Sequence, residues 1–164
     1  MSGIIGDVAN SQSDIIGKKP FAFFGLSGTQ ASSNGTVTKI AFDVAFGGSV
    51  GGTTALSSNG YLVPISGYYF VSLHVSTFDA NNDVNSQYIK VLLDSVIKFG
   101  DYNVSNVSVR HVGSEVSGVL FAAAGQIIYG YVQHHSATGG ALIYHDGGTA
   151  GNPTTCINIQ FLGK

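Results

Sequence analysis

The chain has 164 residues, with nine acidic and seven basic side chains and a net charge of −2. Charged residues make up 10% of it, against about a quarter in an ordinary soluble protein, while 44% is apolar and 23 residues are glycine. That size holds one domain, or one domain with an arm. The charge balance excludes the basic footprint of a nucleic-acid binder, and Gly, Ser, Thr and Asn in place of Lys and Glu favour strands and loops over helices.

The lone cysteine, Cys156, excludes a disulfide framework and a cysteine-ligated zinc site. Inside an apolar run, it reads as a buried structural thiol. The start shows no basic segment followed by an apolar core, as a secretory leader requires. No stretch has the length of apolar sequence needed to span a membrane, so membrane insertion is not expected.

Residues 1–19 read as an arm. They carry two cassettes, Ile4-Ile5-Gly6 and Ile15-Ile16-Gly17, among polar residues, and close on Lys18-Lys19-Pro20. Proline biases the residue before it to extended backbone, which marks a boundary. Residues 20–164 read as the folded domain.

Within it, β-rich runs recur between turn signals. Phe21–Leu26 is the first strand. Val37–Phe46 alternates in part and runs into a glycine-rich loop. The stretch YLVPISGYYFVSLHVSTF, from Tyr61 to Phe78, holds two strands around Pro64 to Gly67. YIKVLLD and SVIKFGDY form a hairpin with Asp94-Ser95 near its turn. VLFAAAGQIIYGYV has Gly125 between β-branched flanks, which favours a second hairpin over a helix. ALIYHD and CINIQFLG complete roughly eight to ten strands, the spacing of an antiparallel sandwich or barrel.

Charge is unevenly placed. No Asp, Glu, Lys or Arg lies between Asp43 and Asp79, or between Glu115 and Asp146. Strands in such spans have no charges for an outer face, which points to faces covered by copies of the same chain.

Catalytic and metal constellations are not expected. His74, His111, His134, His135 and His145 are scattered, with no nucleophile elbow, paired carboxylates or metal motif. His134 and His135 are neighbours on a strand and face opposite ways, so they do not chelate one ion together. An ion held on a trimer axis by three copies of one histidine is the remaining metal geometry. The stretch DANND, Asp79–Asp83, reads as a solvated turn rather than a calcium loop, since it lacks the spaced Asp, Gly and Glu. Asn34, Asn103 and Asn106 begin sequons that reflect composition rather than glycosylation. No cofactor is implied.

At NGYLVPISGYYFVSLHV, Asn59 to Val75, the chain resembles the globular-head domain of complement component C-one-q, whose fold is the trimeric jelly roll shared with tumour necrosis factor. Asn59-Gly60-Tyr61, Pro64 and Gly67-Tyr68-Tyr69 match that pattern, and Val71 and Leu73 stand where it places aromatics. KPFAFFGL resembles the family's first strand, VTKIAFDVAF its pair of short strands, and SQYIKVLLDSVIKFGD its strand–turn–strand. VSGVLFAAAGQIIYGYV resembles two apolar strands around a turn glycine, and TTCINIQFLGK the closing strand. The order of these matches covers residues 20–164. It implies an all-β jelly-roll sandwich and a homotrimer, with Tyr61, Gly67, Tyr69, Phe70, Phe121, Tyr129 and Tyr131 in the core or trimer contacts. Tyr69 is expected to face inward and Phe70 the opposite surface. The SGIIG segment of the arm resembles the starts of structural proteins of tailed phages.

The leading functional expectation is a virion-surface protein, a homotrimer decorating capsid or tail. Its partner is the major capsid or tail protein, gripped through Ile4, Ile5, Gly6, Ile15, Ile16 and Gly17. One alternative is an adhesin or fibre tip that binds a receptor or host-surface glycan. Loops cluster at jelly-roll ends, and Tyr144, His145 and Asp146 in the last loop are the candidate glycan contacts. A second alternative is a secreted complement-like ligand. An enzyme is not expected.

Overall fold

The computed structural model describes residues 20–46, 56–78, 84–109, 111–136, 140–143 and 154–164. Among them there is no helix, and the strands are β1 (Phe21–Gly25), β2 (Gln30–Ser32), β3 (Thr38–Lys39), β4 (Val44–Ala45), β5 (Leu56–Ser57), β6 (Gly60–Leu62), β7 (Gly67–Phe78), β8 (Val84–Leu93), β9 (Val96–Val109), β10 (His111–Ala122), β11 (Ile127–Ser136), β12 (Ala141–Ile143) and β13 (Cys156–Gly163). This exceeds the eight to ten strands expected because β2 to β6 and β12 are pieces of two or three residues.

Two antiparallel sheets face each other. One runs β2-β12-β7-β13-β1-β4, with β10 on the free edge of β7. The other runs β5-β6-β11-β8-β9, with β3 also on β11. The product is a jelly-roll sandwich. Alternation decides which side chains enter it. Along β7, Tyr69, Val71, Leu73 and Val75 are fully buried while Tyr68, Phe70, Ser72 and His74 turn outward. β13 follows the same rule, with Ile157 and Ile159 inward.

The core changes character along its length. Phe24, Tyr61, Tyr69 and Phe161 form an aromatic end, with Tyr61 and Tyr69 edge-on at 6.3 Å and Tyr69 and Phe161 at 5.2 Å. Aliphatic residues from both sheets fill the middle. The far end is polar: Thr77 donates to Gln87 across the sandwich, and Gln87 Nε2 donates to the Val75 carbonyl at 3.0 Å.

Turn chemistry sets the register. Ser58 and Asn59 both have positive φ between paired Ser57 and Gly60, the signature of a two-residue type I′ hairpin. The expected β8–β9 hairpin forms on Asp94-Ser95, with Leu93 opposite Val96. Asp94 has φ 52°, and its carboxylate accepts from Ile127 N–H and Gln126 Nε2, both at 2.9 Å.

The expected hairpin around Gly125 is a correction. A tight turn does form, with Gln126 N–H donating to Ala123 O at 3.1 Å. Its arms, however, lie in different sheets: β10 pairs with β7 along its whole length, and β11 pairs with β8, β6 and β3. The turn is a corner between sheets, because each arm has a longer partner elsewhere.

Candidate functional site

The outward face of the seven-stranded sheet is built in lateral rows. Phe121 stands opposite Tyr68; Val119, Phe70, Gln160 and Phe21 form the next row; Ser117, Ser72, Asn158 and Phe23 the third; Glu115, His74 and Cys156 the fourth. Tyr68 and Phe121 meet edge-on at 5.4 Å and remain 50% and 54% exposed, with Val119 at 55% and Leu162 at 46%. Glu115 is the charged member of these rows. The uncharged spans of the sequence thus supply much of one face, as β7 and most of β10. Monomeric proteins rarely leave contiguous apolar patches beyond a few hundred Å² uncovered.

The row Glu115–His74–Cys156 was not visible in sequence, because its members come from three strands far apart in the chain. It has the residue types of a thiol nucleophile site but not the electrostatics. Burial first, and then the Glu115 carboxylate, push the Cys156 thiol up from its ordinary 9.0 to about 11, so the thiolate is disfavoured. His74 Nδ1 lies 2.7 Å from Thr154 O, a geometry that puts the ring proton there. Cys156 is free and half-buried on the outward face, which corrects the fully buried thiol expected: Ile157 and Ile159 take the inward positions.

Of the expected core or trimer residues, Tyr61, Gly67 and Tyr69 are buried and Phe70 faces outward, half-buried. Tyr69 also donates its hydroxyl to Ile65 O at 2.7 Å. Gly67 is required by close approach: a Cβ there would lie 2.5 Å from Gly163 O and from the Phe161 ring. Phe121, Tyr129 and Tyr131 are not core residues. Phe121 is exposed, and Tyr129 and Tyr131 alternate with inward Ile128, Gly130 and Val132. Gly130 takes the inward position because Phe42 and Leu73 fill the space beside it, 3.0 Å from where its Cβ would stand.

His134 and His135 do face opposite ways. His134 is fully buried, and its Nε2 accepts from Ala141 N–H at 3.1 Å while Nδ1 lies 3.2 Å from Ser32 Oγ. His135 is exposed. Among the described residues no group of three or more His, Cys, Asp or Glu is placed to hold a metal ion. Two sequon side chains are engaged within the fold: Asn34 Nδ2 donates to Ser136 O at 2.8 Å, and Asn103 Nδ2 to Gly113 O at 3.0 Å. A shallow cleft of about 270 Å³ is lined by Leu26, Ser27, Gln30, Ala41 and Asp43. Its polar groups are spent internally, the Asp43 carboxylate on Ser27 and the Gln30 amide on Lys39 and Ala41. The arm residues Ile4, Ile5, Gly6, Ile15, Ile16 and Gly17, the stretch Asp79–Asp83, and the loop residues Tyr144, His145 and Asp146 lie outside the described residues.

No protein-family profile matches the chain, and no curated protein matches it. Among solved structures it is similar to Eiger TNF from S. frugiperda, with a TM-score of 0.55 and 16% sequence identity over 88% of this chain and 93% of that one. Likeness at that identity is one of fold: the sandwich is a TNF-like jelly roll.

Proposed function

We propose that the chain is a homotrimeric, complement-head-like structural protein on the surface of a tailed-phage particle, attached to a capsid or tail protein through residues 1–19. The observation that carries the self-association is the aromatic outward face of Tyr68, Phe70, Val119, Phe121 and Leu162, which holds Glu115 as its charged residue. Copies packed on that face would bury rings that water otherwise meets. The particle context rests on the SGIIG resemblance of the arm. No catalysis is assigned. Among the described polar clusters, the nucleophile candidate Cys156 is held as a thiol.

Energetics shape the attachment. Burying four isoleucines contributes on the order of 6–12 kcal/mol gross. Ordering each backbone residue costs about 1–2 kcal/mol, so the arm needs hydrogen bonds from its partner as well. Adding a strand to a sheet edge supplies them, and three arms on one trimer multiply modest single affinities. The test is particle incorporation of a chain lacking residues 1–19, or carrying Ser at Ile4, Ile5, Ile15 and Ile16. Loss of incorporation with the trimer intact is the expected result; normal incorporation contradicts the arm as anchor. The adhesin reading is favoured by a different surface, the tyrosine face of the second sheet.

A further inference from the structure

Three lateral rows on the outward face of the β11-β8-β9 sheet hold four tyrosines and two lysines. They are Gln133–Tyr88–Tyr102, then Lys39–Tyr131–Lys90–Gly100, then Tyr129–Leu92–Ile97. Tyr88 and Tyr102 meet edge-on at 6.1 Å, and Tyr129 and Tyr131 at 6.2 Å. Lys90 Nζ sits 4.3 Å above the centre of the Tyr88 ring and Lys39 Nζ 4.9 Å above that of Tyr129. Gly100 leaves a notch in the middle row. A Cβ there would stand 2.7 Å from Ile89 O and 3.0 Å from the Tyr88 ring, so the glycine lets that ring lie down along the sheet. Tyr102 remains 58% exposed and Ile97 50%.

Among the described residues, the rows of this face hold Lys39 and Lys90 and no carboxylate. Of the described carboxylates, Asp43 is bonded to Ser27, Asp94 is held at the β8–β9 turn, and Glu115 belongs to the other sheet. Asp101 pairs with Ile89, a residue of the inward set, so strand alternation puts it on the opposite side from Tyr102. Lysines with no described carboxylate in their rows, set among tyrosine rings, match a ligand with anionic groups and flat faces carrying C–H bonds.

We propose that this face binds an acidic polysaccharide, with a sugar ring laid against the exposed Tyr102 and the carboxylate or sulfate groups paired with Lys39 and Lys90, whose ammonium groups already cover the Tyr129 and Tyr88 rings. Arg is absent from the rows, and a lysine ammonium reads charge rather than planar geometry, so either anion suits it. The site lies on the opposite sheet from the face proposed for self-association. It therefore stands whether or not the chain trimerises.

The experiment titrates the full chain with alginate, heparin and neutral dextran oligosaccharides at low and raised salt, following heat or tyrosine fluorescence. Binding to alginate, heparin or both, weakening with salt and absent for dextran, is the expected result, and the pattern tells carboxylate from sulfate. Tyr102→Ala and the pair Lys39→Ala with Lys90→Ala should each weaken binding about tenfold or more while thermal melting shows the fold retained. No binding to either acidic glycan, equal binding to dextran, or unchanged affinity in the folded variants overturns the proposal. Where the lysine pair lowers melting, Lys90→Arg, which keeps the charge, should restore binding; failure to do so also counts against it.

Discussion

Tyr69 is where side-chain identity, backbone geometry and protonation meet. Its ring lies between Tyr61 and Phe161, and its hydroxyl reaches the Ile65 carbonyl in the bend before β7. Tyr69→Phe should cost about 0.5–1.5 kcal/mol, the net worth of one hydrogen bond, and Tyr69→Ala about 3–5 kcal/mol. Gly67→Ala should cost about 1–3 kcal/mol, because the added methyl must displace the Gly163 carbonyl or the Phe161 ring. Denaturant melts of the three variants check this order. Alkaline pH tests the same region. Burial raises the phenol of Tyr61, with Tyr69 adding to the shift, raises that of Tyr69 against the opposing hydrogen bond to Ile65, and raises the Cys156 thiol to about 11. An acid whose folded value is raised keeps its full stabilisation below its unfolded value and loses it as pH climbs toward the folded one. Stability should therefore hold to about pH 9 and fall above it, first through Cys156 and then through the tyrosines. Cys156 should react slowly with a thiol reagent at about pH 8 and quickly once the chain is unfolded.

At the scale of elements, the three-residue strand β12 depends on a side chain from another sheet. It lies between β2 and β7, and the His134 ring from β11 accepts the Ala141 N–H. His134→Leu removes that acceptor, while Ser32 Oγ keeps its contact with Thr38 Oγ1 at 3.0 Å. Each buried group left unsatisfied costs about 1–3 kcal/mol. Faster hydrogen exchange at the Ala141 amide, with a lowered melting temperature, is the expected outcome. Elements of this kind also mark what sequence reveals. β1, β7, the β8–β9 hairpin and β13 were readable because alternation or turn residues specify them locally. The outward placement of Tyr129 and Tyr131 was not. β11 carries apolar side chains on both of its faces, and the inward position of Gly130 is dictated by Phe42 and Leu73 from distant elements. Likewise, nothing local to Gly125 distinguishes a hairpin from a corner between sheets. The row of Glu115, His74 and Cys156 and the tyrosine–lysine face exist only once strand order is known.

For the whole molecule, the two outward faces differ in character. The uncharged spans of the sequence supply β7 and most of β10, whose outward residues make the aromatic face. The other sheet faces out with lysines among tyrosines. The central claim is that the aromatic face is where copies of the chain meet. Sedimentation of the full chain at micromolar concentration tests it, alongside a variant with Tyr68→Arg and Phe121→Glu, both exposed positions that leave the core untouched. The account predicts a mass near three chains for the native protein and a folded single chain for the variant. A native protein that sediments as one chain, or a variant that remains a trimer, would contradict it.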